Sequence, residues 1–328
     1  MLKKAIITGG CGFIGSHLVD LLIKKNFKLV VIDNLESGNL QNIKHHLKNK
    51  NLVLEKKNIL EIDLKNKIYA NTKYIFHLAG KGEIVPSIEK PYDYINQNVL
   101  GTAKILELSK KLKVKKFIYA ASSSCYGLAK TPTKEDFTID TKYPYALSKY
   151  QAEQLVIHWQ KVYKIPFISI RIFNAYGTRS RTSGAYGAVI GTFLKQKIMK
   201  KPLTIVGNGK QRRDFIYVTD VANAFYKAAV SDKKNEIYNL GFGKSITVNY
   251  LAKKLSKELT YIPLRKGEPF ETLADIKKIK KDLNWSPKIP FDEGIKIIIN
   301  NIGYWKKAPL WNKKNIKKAT KSWYKYMS

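Results

Sequence analysis

Apolar residues gather along the chain into short, β-branched runs separated by helix-length stretches. The runs Ala5–Ile7, Leu29–Ile32, Leu52–Leu54, Tyr74–Leu78, Phe117–Ala121, Phe167–Ile170 and Ile237–Leu240 predict strands. They do not alternate apolar with polar, which is the pattern of strands buried on both faces of a parallel sheet. Between them, His17–Lys25, Tyr92–Leu112 and Ala146–Tyr163 carry helical patterns. Strand and helix in alternation predict an α/β chain with a doubly wound parallel sheet. From about Tyr176 the texture changes to loops, with Gly177, Gly184, Gly187, Pro202, Gly207 and Gly209. This places a larger domain at 1–175 and a smaller one at 176–328, with segments near 214–241 returning to the sheet. No internal repeat or low-complexity linker interrupts it.

Composition adds three limits. At 328 residues, 44% apolar and 26% charged, the chain has globular proportions and length enough for a real core. The balance of 60 basic against 25 acidic residues gives +35, which first suggests nucleic acid or an anionic membrane as partner. Only six of the 60 are arginines, at 171, 179, 181, 212, 213 and 265. A lysine excess spread along a whole chain is a weak footprint for a polyanion, so no nucleic-acid partner is expected. Two cysteines, Cys11 and Cys125, make no disulfide framework and imply a reducing cytosol. The apolar stretch behind Lys3 and Lys4 is too short for a signal sequence, and no run approaches the roughly 18 residues of a membrane span. The expectation is a cytoplasmic protein without integral membrane association.

The first strand runs into Thr8-Gly9-Gly10-Cys11-Gly12-Phe13-Ile14-Gly15, and a helix opens at about Ser16. Glycines serve where a backbone turns sharply, approaches a pyrophosphate, or packs helix on strand. The helix N-terminus offers free N–H groups and a positive dipole end to phosphates. The second strand ends at Asp33, whose carboxylate can accept hydrogen bonds from ribose hydroxyls and repel a 2′-phosphate. That favours NAD over NADP.

Tyr145-Ala146-Leu147-Ser148-Lys149 opens a later helix, and the i, i+4 spacing puts Tyr145 and Lys149 on one face. A phenol titrates near pH 10, and a neighbouring ammonium favours its phenolate. Alone this spacing is common. Here it follows the strand Phe117–Ala121, which ends in Ser122-Ser123-Ser124-Cys125-Tyr126-Gly127. A serine hydroxyl there can hydrogen-bond the reacting oxygen.

With these pieces the chain resembles an extended short-chain dehydrogenase/reductase of the NAD-dependent nucleotide-sugar epimerase/dehydratase branch, closest to the UDP-glucose and UDP-N-acetylglucosamine 4-epimerases. His77–Gly80, Asn98–Thr102, Arg171–Asn174, Arg213–Ile216 and Arg265–Glu268 extend the match over most of the chain. The resemblance implies a Rossmann-type domain, a smaller substrate domain and a homodimer formed through Asp93–Leu112 and Ala146–Tyr163. It implies NAD held by Gly9, Gly12, Phe13, Ile14, Gly15, Asp33, Asn34, Ser37, Gly38, Asn58, Ile59, Leu78, Ala79, Gly80, Asn98, Tyr145, Lys149 and Phe173. Tyr145, Lys149 and Ser122 would carry proton handling, with Ser123 and Ser124 beside them. Glu83, Ser122, Asn174, Val206, Arg213, Arg265 and Thr272 would face a small-molecule nucleotide sugar.

The triplet before Cys125 separates reactions within that branch. Similar dehydratases carry Thr-Asp-Glu where this chain has Ser122-Ser123-Ser124, and decarboxylases usually keep a Glu at the place of Ser124. Epimerases with a reactive Cys place it elsewhere than Cys125. Plain C4 epimerization through a transient 4-keto sugar is left; epimerization or 4,6-dehydration of a CDP-, GDP- or dTDP-sugar is the alternative, and behind it a non-enzymatic polyanion-binding protein on a Rossmann scaffold. Thr272 falls where a bulky residue excludes an N-acetyl group, so UDP-N-acetylhexosamines should fit beside UDP-hexoses. The stretch Gly184–Ile190 and the run Ala120–Ser124 resemble the N-acetylhexosamine enzymes. Asn58 replaces a common Asp at the adenine, and Val206 replaces a common aromatic at the base. Glu83 argues against a uronic acid substrate, or pairs with Lys81. No metal site is expected at His17, His77 or His45-His46. The basic, aromatic stretch from Trp305 to Tyr326 reads as a terminal helix over an apolar edge, or as a surface for an acidic partner or an anionic membrane. Arg213 and Arg265 are the informative charges, because a diphosphate wants a guanidinium fork.

Overall fold

The computed structural model describes residues 2–180, 189–264 and 267–327. Strand β1 (Lys4–Thr8) leads to helix α1 (Phe13–Lys24), then β2 (Lys28–Ile32), β3 (Leu52–Glu55) and β4 (Tyr74–His77). Helices α2 (Ile84–Glu89), α3 (Pro91–Tyr94) and α4 (Gly101–Leu112) follow, with a π-helical stretch at Ile95–Leu100 joining the last two. Then come β5 (Lys116–Ser122), α5 (Pro144–Tyr163), β6 (Phe167–Ile172) and β7 (Asn174–Tyr176). The later part holds α6 (Val189–Ile198), β8 (Leu203–Val206), β9 (Arg212–Arg213), β10 (Phe215–Tyr217), α7 (Val218–Val230) and β11 (Glu236–Leu240). It continues with β12 (Ile246–Thr247), α8 (Val248–Leu255), β13 (Leu259–Ile262), α9 (Lys277–Leu283) and α10 (Phe291–Asn300). Two short helices, α11 (Lys313–Ala319) and α12 (Lys321–Tyr326), close the chain.

Seven strands form one parallel sheet in the order β3-β2-β1-β4-β5-β6-β11. Consecutive residues of β1 go to opposite faces. Ile6 joins Val30, Ile75 and Ile105 on one side, while Ala5 and Ile7 join Val31, Phe76, Leu18 and Phe225 on the other. That two-faced burial is why the strands read as unbroken apolar runs. A third cluster, with Phe193, Leu203, Phe215, Leu251 and Trp305, forms the core of the smaller part. Its strands pair in twos: β7 with β10, β9 with β12, and β8 with β13.

The chain winds outward from β1 through β2 to β3, then returns to β4 and winds the other way. The loops after β1 and β4 therefore diverge, and a crevice opens at the C-terminal strand ends. Two expected helices start or run differently. Helix α1 begins at Phe13 rather than His17, because Gly12 already stands at its N-cap. The segment expected as one helix at Tyr92–Leu112 is broken by the π-helical stretch, which carries buried Asn98. Among the described residues no helix is long and apolar enough to cross a membrane.

Candidate active site

A cavity of about 910 Å³ opens along the C-terminal ends of the strands. Gly9, Gly12, Phe13, Ile14 and Gly15 line it after β1, and Asp33, Asn34 and Ser37 after β2. Leu78, Ala79, Gly80 and Glu83 follow β4, the three serines follow β5, and Phe173 and Asn174 follow β6. Tyr145 and Lys149 enter from α5, and Val206, Arg213 and Thr272 from the smaller part.

Local chemistry shapes the loop after β1. Gly9 has φ +73°, and a Cβ there would lie 2.8 Å from the Ala79 nitrogen. A Cβ at Gly15 would lie 2.1 Å from the Gly9 carbonyl oxygen. Only hydrogen fits at either place. No side chain caps α1, so its first-turn N–H groups stay open to an anion. The Asp33 carboxylate takes the Cys11 N–H at 2.9 Å and the Leu35 N–H at 2.8 Å, which fixes it at the end of β2. This cradle and carboxylate fit a dinucleotide: phosphates on the α1 N-terminus, ribose at Asp33.

Tyr145 stands at the cavity wall, with its ring parallel to Tyr143 at 6.4 Å and edge-on to Tyr94 at 6.4 Å. The Ser122 hydroxyl is near enough to its phenol to act on its pKa. Lys149 is buried, its ammonium 4.4 Å from the Tyr119 ring centre. The expected lowering of the Tyr145 pKa is reversed. Exclusion of water raises it above the ordinary phenol value, with the Ser122 hydroxyl pulling the other way. The same exclusion lowers Lys149 to about 7, opposed by the Glu153 carboxylate. Burial disfavours the charged form of each group, so at neutral pH the phenol is protonated.

At the far end, Thr272 Oγ1 donates to Asn174 Oδ1 at 2.8 Å. Arg213 lies 3.7 Å from Glu268 and is 15% exposed at the side chain. Arg265 and the stretch 184–188 lie outside the described residues.

Three expected cofactor residues stand behind the wall rather than on it. Asn98 is buried and takes the Lys81 N–H at 2.7 Å, while its amide donates to Lys81 O and to Ser148 Oγ. It thereby ties the loop after β4 to α5. Asn58 accepts from Leu60 N and donates to Gln97, which does line the cavity. Gly38 packs on the Asp33 carboxylate, where a Cβ would come within 2.7 Å. The ammonium of Lys81 pairs with Glu36, not with Glu83.

Both cysteines are buried, and burial pushes each thiol up to about 12. His77 bridges Thr8 and Thr102 inside the core, and burial holds it down near 3, so it serves as a neutral structural link. His17 reaches Thr178 O at 3.0 Å. Among the described residues, one cluster has metal-ligand chemistry. Asp20 Oδ1 meets His45 and His46 at 2.8 and 2.9 Å, and Arg179 holds its other oxygen. It lies outside the cavity.

Sequence reasoning missed several cavity residues: Tyr94, Gln97, Tyr143, Phe193, Gln211, Trp311, Ile316 and Trp323. None sits in a recognisable spacing. Tyr143 alone had a signal, standing two residues before Tyr145.

A parallel sheet with a glycine cradle at its switch point, and Ser122, Tyr145 and Lys149 at the next strand ends, has the build of a dinucleotide-dependent enzyme. The model of the NAD dependent epimerase/dehydratase family matches residues 5–241. The chain belongs to that family, and NAD is its cofactor. It is 33% identical to a solved UDP-N-acetylglucosamine 4-epimerase from Methanobrevibacter ruminantium M1, covering 92% of this chain and 99% of that one, with TM-score 0.85. It is 33% identical to a UDP-glucuronate 4-epimerase of Thermodesulfobacterium geofontis over 95% of this chain and 96% of that protein. It is also 31% identical to UDP-glucuronic acid decarboxylase 1 of Arabidopsis thaliana, over 91% of this chain and 69% of that protein. The chain is thus an enzyme of nucleotide-sugar chemistry, in a family that both epimerizes and decarboxylates.

Proposed function

We propose that the enzyme inverts C4 of a UDP-hexose, and that UDP-N-acetylhexosamines are among its substrates. One observation carries the choice of reaction. The strand end beside Tyr145 offers Ser122, Ser123 and Ser124, three hydroxyls and no carboxyl group. Elimination of water needs a carboxyl acid and a base there; moving one alcohol proton does not.

Gly9, Gly12, Gly15 and Asp33 hold NAD in this reading, with Lys149 at its ribose. Bound there, NAD would supply a reversible hydride acceptor. The Tyr145 phenol first gives its own proton to solvent; as the phenolate it takes the 4-hydroxyl proton and returns it, while Ser122 holds the reacting oxygen and Lys149 steadies the phenolate. Arg213 binds the diphosphate. The 4-keto sugar turns over in the cavity before reduction on its other face, so no reductant is consumed. Thr272 is small enough to leave room for an N-acetyl group, and Glu83 sets a negative charge against a uronate. The enzyme works in the cytoplasm, as a homodimer through α4 and α5.

The test is a product assay over UDP-, CDP-, GDP- and dTDP-sugars without added reductant. The reading expects UDP-GlcNAc and UDP-GalNAc to interconvert at unchanged mass. A product lighter by water or by carbon dioxide contradicts it.

A further inference from the structure

The C-terminal segment after Trp305 lies outside the residues matched by the family model, yet it lines the cavity with Trp311, Ile316 and Trp323. Its position is pinned at four points. Trp305 is fully buried in the core of the smaller part. Gln196, itself 1% exposed, donates to Trp311 O at 2.8 Å. Helix α12 packs on α2, and Ser322 Oγ donates to Glu89 at 2.8 Å. The carbonyl of Met327 lies 3.2 Å from where a Cβ of Gly267 would stand.

Contacts order the cavity from one end to the other. Tyr145 stacks on Tyr143, and the Tyr143 ring meets Trp323 at 6.0 Å. Tyr143 feels the charges of Arg213 and Glu268. Beyond Arg213, Gln211 donates to Val206 O at 2.9 Å, at the end of β8. Thr204 on that strand shares the Gln196 amide with the Trp311 carbonyl. Trp323 is therefore at the reacting end and Trp311 at the opposite end, with the guanidinium of Arg213 between them. The Trp311 end carries Phe193, Val206, Val248 and Ile316, and its polar lining includes Gln211 and Thr204. That is a slot for a planar base, with an amide for its edge.

We propose that residues 306–327 form the outer wall of the substrate site, with Trp311 stacking on the nucleobase and Trp323 lying against the sugar. The proposal rests on the nucleotide-sugar reading above and adds two contacts to it. Trp311 is only partly buried, so its removal leaves the core intact. An aromatic under a base is worth about 1–3 kcal/mol, roughly a tenfold change in affinity at the middle of that range.

The experiment is calorimetric titration of wild type, Trp311→Ala, Trp311→Phe, Trp323→Ala and Trp323→Phe with UDP and with UDP-GlcNAc. Bound NAD and melting temperature are recorded for each. Trp311→Ala should bind UDP about tenfold more weakly, and Trp311→Phe should recover most of the loss. Trp323→Ala should weaken UDP-GlcNAc several-fold while leaving UDP unchanged. If Trp323→Ala also loses stability, Trp323→Phe carries that comparison. Equal UDP affinity in wild type and Trp311→Ala, with NAD retained, overturns the base contact. Equal loss of UDP and UDP-GlcNAc in both Trp323 variants overturns the sugar contact. A wild type that never converts UDP-GlcNAc, together with the expected losses in the variants, contradicts the proposed reaction while supporting the wall.

Discussion

Tyr145 and Lys149 are both shifted by the same cause, exclusion of water, and in opposite directions. The phenol must still give a phenolate during turnover, so removing its oxygen should be severe. Tyr145→Phe is expected to lose about 10²–10⁴ in rate while retaining NAD, measured by product formation and by extracted cofactor. An undiminished rate would remove Tyr145 from the chemistry. Lys149 gives a pH prediction. Its folded pKa is about 7 against an ordinary 10.5. Between those values the unfolded chain holds a proton that the folded chain has shed, so stability rises with pH across that window, and the cost of burying the charge is full below pH 7. Lys149→Met apoprotein should be more stable than wild type at pH 6, with the gap closing toward pH 10, by thermal denaturation. In the proposed reading, Thr272 sets the size of the sugar site. Thr272→Tyr should abolish turnover of UDP-GlcNAc and spare UDP-glucose, read as separate kcat/KM values. The arginines also divide at this scale. Among those described, Arg171 pairs with Glu153, Arg179 with Asp20, and Arg212 with Glu271, while Arg213 alone lines the cavity. Scarcity drew attention to all six, but three serve the framework.

Elements explain why some of this was legible and some was not. The glycine loop could be read because its spacing records backbone geometry: a Cβ at Gly15 meets Gly9 O whatever the rest of the chain does. The seven strands could be read because two-faced burial makes them continuous apolar runs. The tie that Asn98 makes to Lys81 and Ser148 was not legible, because it depends on the π-helical stretch that carries it. Nothing in local spacing encodes that. Helix α5 carries a second feature that no motif announced. Glu153, one turn beyond Lys149, is buried against Arg171 of β6, with nitrogen–oxygen distances of 2.7 to 3.2 Å, and it also accepts from Ser169. Arg171 in turn reaches Tyr126 and the Glu135 carbonyl. This network locks α5, and hence Tyr145, against β5 and β6. Arg171→Met leaves a buried carboxylate without its cation and should cost about 3–5 kcal/mol in urea denaturation. Arg171→Met with Glu153→Met should recover much of it; an additive loss would contradict a coupled pair.

Over the whole molecule, the cavity is lined by the strand ends of the sheet, by the smaller part and by the C-terminal segment; in the proposed reading these hold the cofactor and proton-handling groups, the substrate, and the outer wall. That segment reads in sequence as a basic terminal helix, and its packing on α2 and beside Tyr143 was hidden because its partners lie more than 100 residues away. The net charge of +35 is spread along the whole chain, and the cavity holds one described arginine, Arg213, opposite Glu268. The chemistry proposed for this cavity removes hydrogen from C4 and returns the same hydrogen to the other face. UDP-GlcNAc deuterated at C4, incubated with the enzyme in ordinary water without reductant, tests this directly. UDP-GalNAc that keeps its deuterium in full is the expected product; no UDP-GalNAc, or product whose C4 deuterium has exchanged with water, would contradict it.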